Sequence, residues 1–241
     1  MTQADPVALA ALLMDRTRGA DPGSSTAAME AVTGTVVELG LAAGAGITER
    51  RGREGYHSLA ATDERVATVD DLQFRLNEGP GVLTCVEQDL LITGDSVEGG
   101  RWPRWGPAAA HHGFHAVVSV NLHFSGSTLG AINLYSESPR QFTAPDLDVA
   151  RLVGAHASIV LSRYRSDTNL WQAITARHRI GLAQGILMER FHVDADKAFA
   201  VLRRLSQHQN IKLSQIAEHV IATGQLPGER LAEPTAAVAT D

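Results

Sequence analysis

The sequence predicts an α+β domain, with a central antiparallel sheet and flanking helices, followed by an all-helical domain, and a long helix joins the two. Three observations support this architecture. Short apolar segments rich in β-branched residues alternate with helical patterns in the N-terminal part of the chain. Two of these segments, residues 116–124 and 127–136, flank a Ser-Gly pair, which is a hairpin signal. From Asp146 to Phe191 the chain has no proline and few glycines, and only helical periodicity follows.

The elements of the first domain follow in order. A helix over residues 6–18 is separated by Ala-Asp-Pro-Gly-Ser-Ser from a second helix over residues 26–41. Strands and helices then alternate, with strands predicted at residues 43–49, 56–62, 90–95, 116–124 and 127–136 and helices at residues 68–77 and 103–112. The long helix begins near Thr143, which is a good N-cap with Pro145 in the first turn and Asp146 three residues on.

The middle of the long helix contains a pattern with two interpretations. Leu161, Tyr164, Thr168 and Trp171 follow a 3, 4, 3 spacing, which is typical of a coiled-coil seam. Fewer than two heptads are present, so ordinary packing within a domain explains the same spacing equally well.

The C-terminal domain is predicted to be helical throughout. Asp194 is a good N-cap for a helix whose apolar face is formed by Ala198, Val201, Leu202 and Leu205. The last helix has its apolar residues at i, i+3, i+4, i+7 and i+8, namely Leu213, Ile216, Ala217, Val220 and Ile221. Gly224 and Pro227 end it, and the small polar tail from Gly228 onward is expected to be disordered.

Composition limits the class of protein. The 241 residues are 44% hydrophobic and 20% charged, which is globular and long enough for two domains. The single cysteine, Cys85, excludes an intramolecular disulfide and a cysteine-based zinc cluster, which fits a reducing cytosol. The apolar run near the N-terminus is only about eight residues long and is interrupted by Asp15. We therefore expect a soluble, cytoplasmic protein.

Charge is distributed unevenly along the chain. The net charge is -6, but residues 168–226 contain seven basic and four acidic side chains. This segment carries +3, and the remainder of the chain carries -9. A basic segment on an acidic body is compatible with nucleic-acid binding, although a solvated helical face has the same composition.

The three C-terminal helices carry the motifs AQGILMER, DKAFAVLRRLSQHQN and KLSQIAEHVI. In this order they resemble the ANTAR domain, an RNA-binding module of bacterial transcription antiterminators. The shared residues are Ala183, Gly185, Met188, Ala198, Phe199, Leu202, Arg203, Asn210, Lys212, Leu213 and Ala217.

The preceding domain resembles a GAF domain of the actinobacterial kind that precedes ANTAR. The motifs that carry this resemblance are LNEGPGV, RWPRWGPAAAHHG, VVSVNLHFSGSTLGAINLYS and FTAPD. The chain departs from the family at Gly81, where many relatives have cysteine, so a role of that thiol does not transfer. Cys85 is interpreted as a small packed side chain. The residues that recognise cyclic nucleotides in other GAF domains are not evident, and no ligand or cofactor is assigned.

The two resemblances imply a domain plan and a function. We expect an N-terminal helix and linker at residues 1–25, a GAF sensor domain at 26–166, an ANTAR domain at 167–227 and a tail at 228–241. The implied function is a signal-responsive antitermination regulator whose ANTAR helices bind tandem stem-loops in mRNA leaders and prevent terminator formation. The GAF domain would sense a signal or mediate dimerisation. The resemblance implies a homodimer through the GAF domain and the linking helix, an unidentified small-molecule ligand in the GAF domain as an open option, and no membrane partner.

RNA contact is expected from three kinds of side chain. Cations would meet phosphates, amides would hydrogen-bond bases, and small residues would allow an RNA loop to come close. The predicted RNA-binding residues are Arg179, Ala183, Gln184, Gly185, Arg190, Lys197, Arg203, Arg204, Gln209, Asn210 and Lys212, with Ala198 as a further small residue. Small residues in a helix more often permit helix packing, and adjacent Arg203 and Arg204 point about 100° apart, so only one lies centrally on a binding face.

Two other classes of function fit parts of the sequence. KLSQIAEHV looks like the first helix of a DNA-binding helix-turn-helix, but the recognition helix would fall on GQLPGERLAEP, where glycine and proline disfavour it. An enzyme would need a catalytic constellation. His111, His112 and His115 lack a carboxylate partner at ligand spacing, and Glu-Gly-Pro-Gly at residues 78–81 is interpreted as a turn, so we expect no metal site and no enzymatic activity.

Overall fold

The computed structural model describes residues 5–19, 24–51, 55–86, 89–97, 100–140 and 142–228. It divides into two compact units, Met1–Ser166 and Asp167–Asp241. Within the described residues, no helix has the length and the apolar character needed to cross a membrane. The tail expected to be disordered lies outside the described residues beyond Gly228.

The first unit begins with two helices, α1 (Pro6–Arg18) and α2 (Ser25–Glu38). Side chains cap both N-termini: Asp5 accepts from the amide of Val7 at 2.9 Å, and Ser24 accepts from the amide of Ala27 at 3.2 Å. These bonds satisfy amides that the helix itself leaves unpaired. Both helices therefore begin directly after a polar residue whose side chain acts as the N-cap.

The centre of the first unit is a five-stranded antiparallel sheet with the order β2-β1-β5-β4-β3. The strands are β1 (Gly44–Arg50), β2 (Tyr56–Ala61), β3 (Leu90–Thr93), β4 (Ala116–Phe124) and β5 (Ser127–Ser136). The predicted hairpin is confirmed between β4 and β5. Its two turn residues have positive φ, 49° at Ser125 and 77° at Gly126, which matches the strand twist of a two-residue hairpin.

Three helices lie between strands: α3 (Glu64–Leu76), α4 (Pro80–Val86) and α5 (Trp105–His111). Helix α3 begins earlier than predicted because Asp63 caps the amide of Val66 at 2.9 Å. Helix α4 corrects the expectation of a simple turn at residues 78–81. Pro80 occupies the first helical position, where its missing N–H costs nothing, and Gly81 donates its N–H to Oε1 of Gln73 at 2.6 Å.

Each face of the sheet packs against its own set of helices. One face, with Ile47, Val118 and Ile132, packs against α1, α2 and the first part of the long helix α6 (Ala144–Phe191). The opposite face packs against Trp105 and Phe114. The indole Nε1 of Trp105 donates to the carbonyl of Val69 at 3.1 Å, so this large buried ring leaves no polar atom unpaired.

Helix α6 begins with the predicted capping box. The amide of Thr143 donates to Oδ2 of Asp146 at 2.9 Å, and the amide of Asp146 donates to Oγ1 of Thr143 at 3.5 Å. The 3, 4, 3 pattern further along is not one continuous seam. Leu161 and Tyr164 are buried in the core of the first unit, whereas Trp171 is 69% exposed.

The second unit is a small bundle formed by the C-terminal part of α6, α7 (Ala195–Gln209) and α8 (Leu213–Thr223). Its buried core consists of Ala183, Leu187, Ala198, Leu202, Ile216, Ala217 and Val220. Asp194 caps α7 as predicted, accepting from the amide of Lys197 at 2.8 Å. Asn210 and Gly224 end α7 and α8 in the left-handed conformation, with φ of 54° and 69°.

We predict that Gly106→Ala destabilises the first unit by about 2 kcal/mol, since a Cβ at residue 106 would lie 1.9 Å from the carbonyl oxygen of Ser96, which is backbone and cannot rotate away. Gly34→Ala is the matched control, because no atom lies within 4 Å of its Cβ position and alanine favours the helix. Chemical denaturation of both variants measures the difference. Equal stability of the two variants would show that α5 moves freely on its neighbour.

Candidate nucleic-acid interface

The small residues predicted for RNA contact separate into two groups in the structure. Ala183 and Ala198 are fully buried in the bundle core. This corrects the expectation that they form a flat, exposed surface for RNA. Their small size allows the helices of the bundle to approach each other. Gly185 and Gly181 are open instead, since no atom of the described residues outside their own stretch of helix backbone lies within 4 Å of the position of a Cβ. Packing against the described residues therefore does not explain Gly185.

Arg203 and Arg204 both lie on the exposed side of α7. Neither side chain has an ion pair or hydrogen bond with the described residues. They directly follow the buried Leu202, and their directions about the helix axis differ by about 100°. Arg203 lies one turn after Phe199, and Arg204 lies two turns after Lys197. Both guanidinium groups are thus presented to solvent.

The other predicted cations are partly engaged on the surface. Arg179 pairs with Glu218 at 3.4 Å, and Lys197 pairs with Asp194 at 3.0 Å. Arg190 donates to the carbonyl of Gly224 at 2.6 Å. Exposed ion pairs contribute only about 0–1 kcal/mol, so exchange of these partners for a phosphate costs little.

The polar side chains predicted for base contact lie within α6 and at the end of α7. Gln184 donates to the carbonyl of Ala195 at 3.2 Å, and Gln209 donates to the carbonyl of Pro227 at 3.5 Å. Asn210 is exposed at the end of α7, and Lys212 is exposed at the start of α8, where its side chain makes no capping bond. The structure thus brings Asn210 and Lys212 together in one short connection between helices.

Two exposed features contain residues that were not predicted for the site, and Gly185 is the one predicted residue they include. Phe199 is 36% exposed and lies one turn before Arg203. Helix α6 also exposes a face on the side away from the bundle core, and we call it the open face of α6. Its members are Trp171, Ile174, His178, Gly181, Gly185 and Met188. Their 3, 4, 3, 4, 3 spacing is a heptad pattern that begins where the shorter predicted seam ends.

The first unit contains a polar layer between the sheet and α3 and α4. Asp70 of α3 is fully buried, and its Oδ1 accepts from Tyr135 Oη at 2.5 Å, Asn133 Nδ2 at 2.7 Å and Gln73 Nε2 at 3.3 Å. Burial raises the pKa of Asp70 to about 6, and the three hydrogen bonds oppose this shift. Hydrophobic periodicity does not identify Asp70 as a buried residue, because the buried face of α3 carries both polar and apolar side chains.

Cys85 and the histidines at residues 111–112 lie in different surroundings. Cys85 is buried, as predicted, and burial raises the pKa of its thiol to about 12. The rings of His111 and His112 make an edge contact with centroids 5.6 Å apart. Among the residues that the structure describes, no group of histidine, cysteine or carboxylate side chains has a geometry that would hold a metal ion.

The helix-turn-helix alternative requires a helix soon after α8. Helix α8 ends at Thr223, and residues 224–228 are not helical. The remaining residues of the expected recognition helix lie outside the described part of the chain.

Comparison with known proteins assigns both units. A model of the GAF domain family matches residues 24–162, and a model of the ANTAR domain matches residues 168–221. A search of curated proteins found no match. The GAF family model covers more than half of the chain.

Several solved GAF structures share the fold of the first unit. The GAF domain of an Acinetobacter phosphoenolpyruvate-protein phosphotransferase has 11% sequence identity and a TM-score of 0.54. The match covers 66% of this chain and 94% of the Acinetobacter chain. The corresponding domain from Coxiella burnetii is 12% identical with a TM-score of 0.57, covering 70% and 99%. The phycoerythrobilin-bound GAF domain of a cyanobacterial phytochrome is 11% identical with a TM-score of 0.52, covering 68% and 98%. At these identities the likeness concerns the fold alone.

The sheet, its flanking helices and the family match together show that the chain belongs to the GAF domain family. The ANTAR match to the C-terminal bundle makes it more specifically a GAF-ANTAR protein. A sensor domain combined with an ANTAR domain is the composition of a regulator.

We predict opposite effects of leucine at the two small positions of α6. Ala183→Leu should destabilise the bundle by about 2 kcal/mol, because the site is fully buried in a packed core. Gly185→Leu should leave the fold intact, because its surroundings are open and leucine favours a helix. Thermal unfolding monitored by circular dichroism distinguishes them. Unfolding of the Gly185→Leu variant would mean that residue 185 is packed in solution.

Proposed function

We propose that this protein is a transcription antitermination regulator that binds RNA stem-loops through its C-terminal bundle. The observation that carries the proposal is that Arg203 and Arg204 on α7 are exposed and have no partner among the described residues. They lie within a segment that is basic although the chain as a whole is acidic. Membership of the ANTAR domain, an RNA-binding module, supports the same conclusion. By binding a leader hairpin, the bundle would prevent the competing terminator from forming.

RNA loops match the chemistry of this surface. Loop bases are unstacked and project outward, where they stack on aromatic rings and hydrogen-bond to amides. Phe199, exposed one turn before Arg203, offers such a ring, and Asn210 offers an amide. Arg203, Arg204 and Lys212 would neutralise phosphates and release counterions, so binding should weaken as salt increases.

We propose that the protein acts as a homodimer, so that two bundles engage two tandem stem-loops. The open face of α6 is the surface in the second unit that best fits a second copy. Trp171 is 69% exposed and Ile174 is 50% exposed, and large apolar side chains in register on one helix face are costly to leave in water. Linking two bundles raises the local concentration of the second for its hairpin.

The GAF domain would receive the signal in this account, and neither domain would act as an enzyme. Some GAF domains of similar fold belong to proteins described as phosphotransferases, so an assay for catalysis remains an informative control. Because the RNA target is a nascent messenger, the proposed site of action is the cytoplasm.

The first test measures RNA binding. Arg203→Ala and Arg204→Ala together should weaken binding of a tandem stem-loop RNA about tenfold at low salt and reduce the salt slope by about one to two. The single variants show which arginine faces the RNA. Arg75→Ala is the control, since Arg75 is an exposed arginine on α3, where it pairs with Asp71. Tighter binding to duplex DNA than to RNA would instead favour the DNA-binding helix-turn-helix alternative.

The second test concerns the oligomeric state. Ile174→Glu should convert the dimer to a monomer, because it places a charge next to Trp171 on the open face of α6. Gln172→Glu adds the same charge at an exposed position outside that face and should leave the dimer intact. Sedimentation velocity over a range of concentrations measures both. A dimer that survives Ile174→Glu would exclude this face as the contact.

A further inference from the structure

The polar layer of the first unit has an unusual concentration of unsatisfied atoms. Among the described residues, six buried side-chain oxygens have no hydrogen-bond partner. They belong to Thr48, Asp70, Thr84, Ser119, Asn121 and Asn133. An unpaired buried polar atom is unfavourable, and each one in a native structure needs an explanation.

All six atoms belong to the same layer. Strand pairing aligns Thr48 and Asn121 with Ala131 in one row across β1, β5 and β4. The next row on the same face contains Gly46, Asn133 and Ser119. Asp70 from α3 and Thr84 from α4 belong to the helices that cover this face. The unsatisfied atoms therefore lie in one region rather than being scattered through the unit.

Asp70 is connected to α4 through Gln73. The amide nitrogen of Gln73 donates to Oδ1 of Asp70 and to the hydroxyl of Tyr135, while its oxygen accepts the N–H of Gly81 in the first turn of α4. This side chain thus joins the carboxyl group to the start of the covering helix. The other carboxyl oxygen of Asp70 lies 1.9 Å from the position of a Cβ on Gly46, so the group is pressed against β1.

Among the residues that the structure describes, no cation compensates the charge of Asp70. The carboxyl group of Asp70 contacts Tyr135 and Asn133 of β5 and lies against Gly46 of β1. Its connection to α4 runs through Gln73. Tyr135 is the titratable group in direct contact, and burial raises its pKa, so it stays neutral.

The other titratable groups of this layer are Cys85 of α4 and Tyr56 of β2, and burial raises the pKa of both. The guanidinium of Arg50 on β1 opposes this shift at both groups, whereas the pKa of Asp70 is set by burial and its hydrogen bonds. Helix α5 contributes Trp105, which does not titrate. Among the described groups of this layer, protonation of Asp70 is therefore the change of charge expected near neutral pH.

We propose that Asp70 is a proton-dependent switch that controls how firmly α4 is held against the sheet. The protonated group suits the closed layer, because it carries no buried charge and gains an O–H that can be donated to an unpaired acceptor. The ionised group favours opening of α4, since opening lets water solvate the carboxylate. The proposal concerns the GAF unit and does not depend on RNA binding.

The sign of the effect follows from linkage. Burial keeps the pKa of Asp70 at about 6 in the closed layer, above its ordinary value of 3.8. The closed state is therefore most favoured at low pH, and this preference is lost as pH rises from about 4 through 6. With an ordinary pKa in the open state, the opening constant rises about tenfold between pH 5 and pH 7.5.

Hydrogen exchange of the full chain tests the switch. After correction for the intrinsic pH dependence of exchange, amide protection in α4 should fall about tenfold between pH 5 and pH 7.5. Asp70→Asn, which carries no titrating charge, should abolish this change. An unchanged pH dependence in the Asp70→Asn variant, or constant protection in the wild-type protein, would overturn the proposal.

A second variant keeps the test decisive if Asp70→Asn does not fold. Tyr135→Phe removes a hydrogen bond that favours the carboxylate, so the midpoint of the α4 transition should move to higher pH. The carboxyl carbon-13 shift of Asp70 reports the same titration directly. A titration of Asp70 below pH 5, or an unshifted midpoint in the Tyr135→Phe variant, would contradict the switch.

Discussion

The packing of seven small and medium apolar side chains in the C-terminal bundle is the constraint on which the proposed interface depends. This core fixes the rotation of α6, α7 and α8 about their axes, and so decides which side chains face water. Ala183 and Ala198 allow the helices to come close, and Leu202 directs its neighbours Arg203 and Arg204 outward. The charged surface is therefore a consequence of core packing rather than of charge pairing.

The sensor unit differs from the bundle in burying polar side chains. Its sheet has one conventional apolar face, filled by Ile47, Ile132 and their neighbours, and one face where polar atoms are buried. Burial of a carboxyl group without a cation is unfavourable for the charged form, and the neutral form avoids that cost. In the proposed switch, the protonated and the ionised Asp70 favour different states of this layer, and a sensor requires two such states.

Much of the fold could be predicted from the sequence because local chemistry determines it. The Ser-Gly turn between β4 and β5, the capping box at Thr143 and the cap at Asp194 each act over two to four residues, and the structure has all three. Helix α4 was missed because glycine and proline usually mark turns, and the bond that supports it comes from Gln73. That bond depends on a tertiary contact that no local pattern contains.

The candidate site was predicted less completely, for a related reason. Helical spacing places residues on a face, but it does not say which face the neighbours cover. Ala183 and Gly185 are two residues apart and similar in size, and one is fully buried whereas the other is open. Asp70 could not be identified from its sequence neighbours, because its partners Asn133 and Tyr135 lie on a distant strand.

Crosslinking of the protein to RNA in living cells, followed by sequencing of the bound transcripts, tests the central claim most directly. The account predicts enrichment of paired stem-loops in messenger leaders, immediately upstream of or overlapping a terminator, and loss of that enrichment when Arg203 and Arg204 are both replaced by alanine. A set of bound transcripts without tandem hairpins near terminators, or an enrichment that the double substitution leaves unchanged, would contradict it.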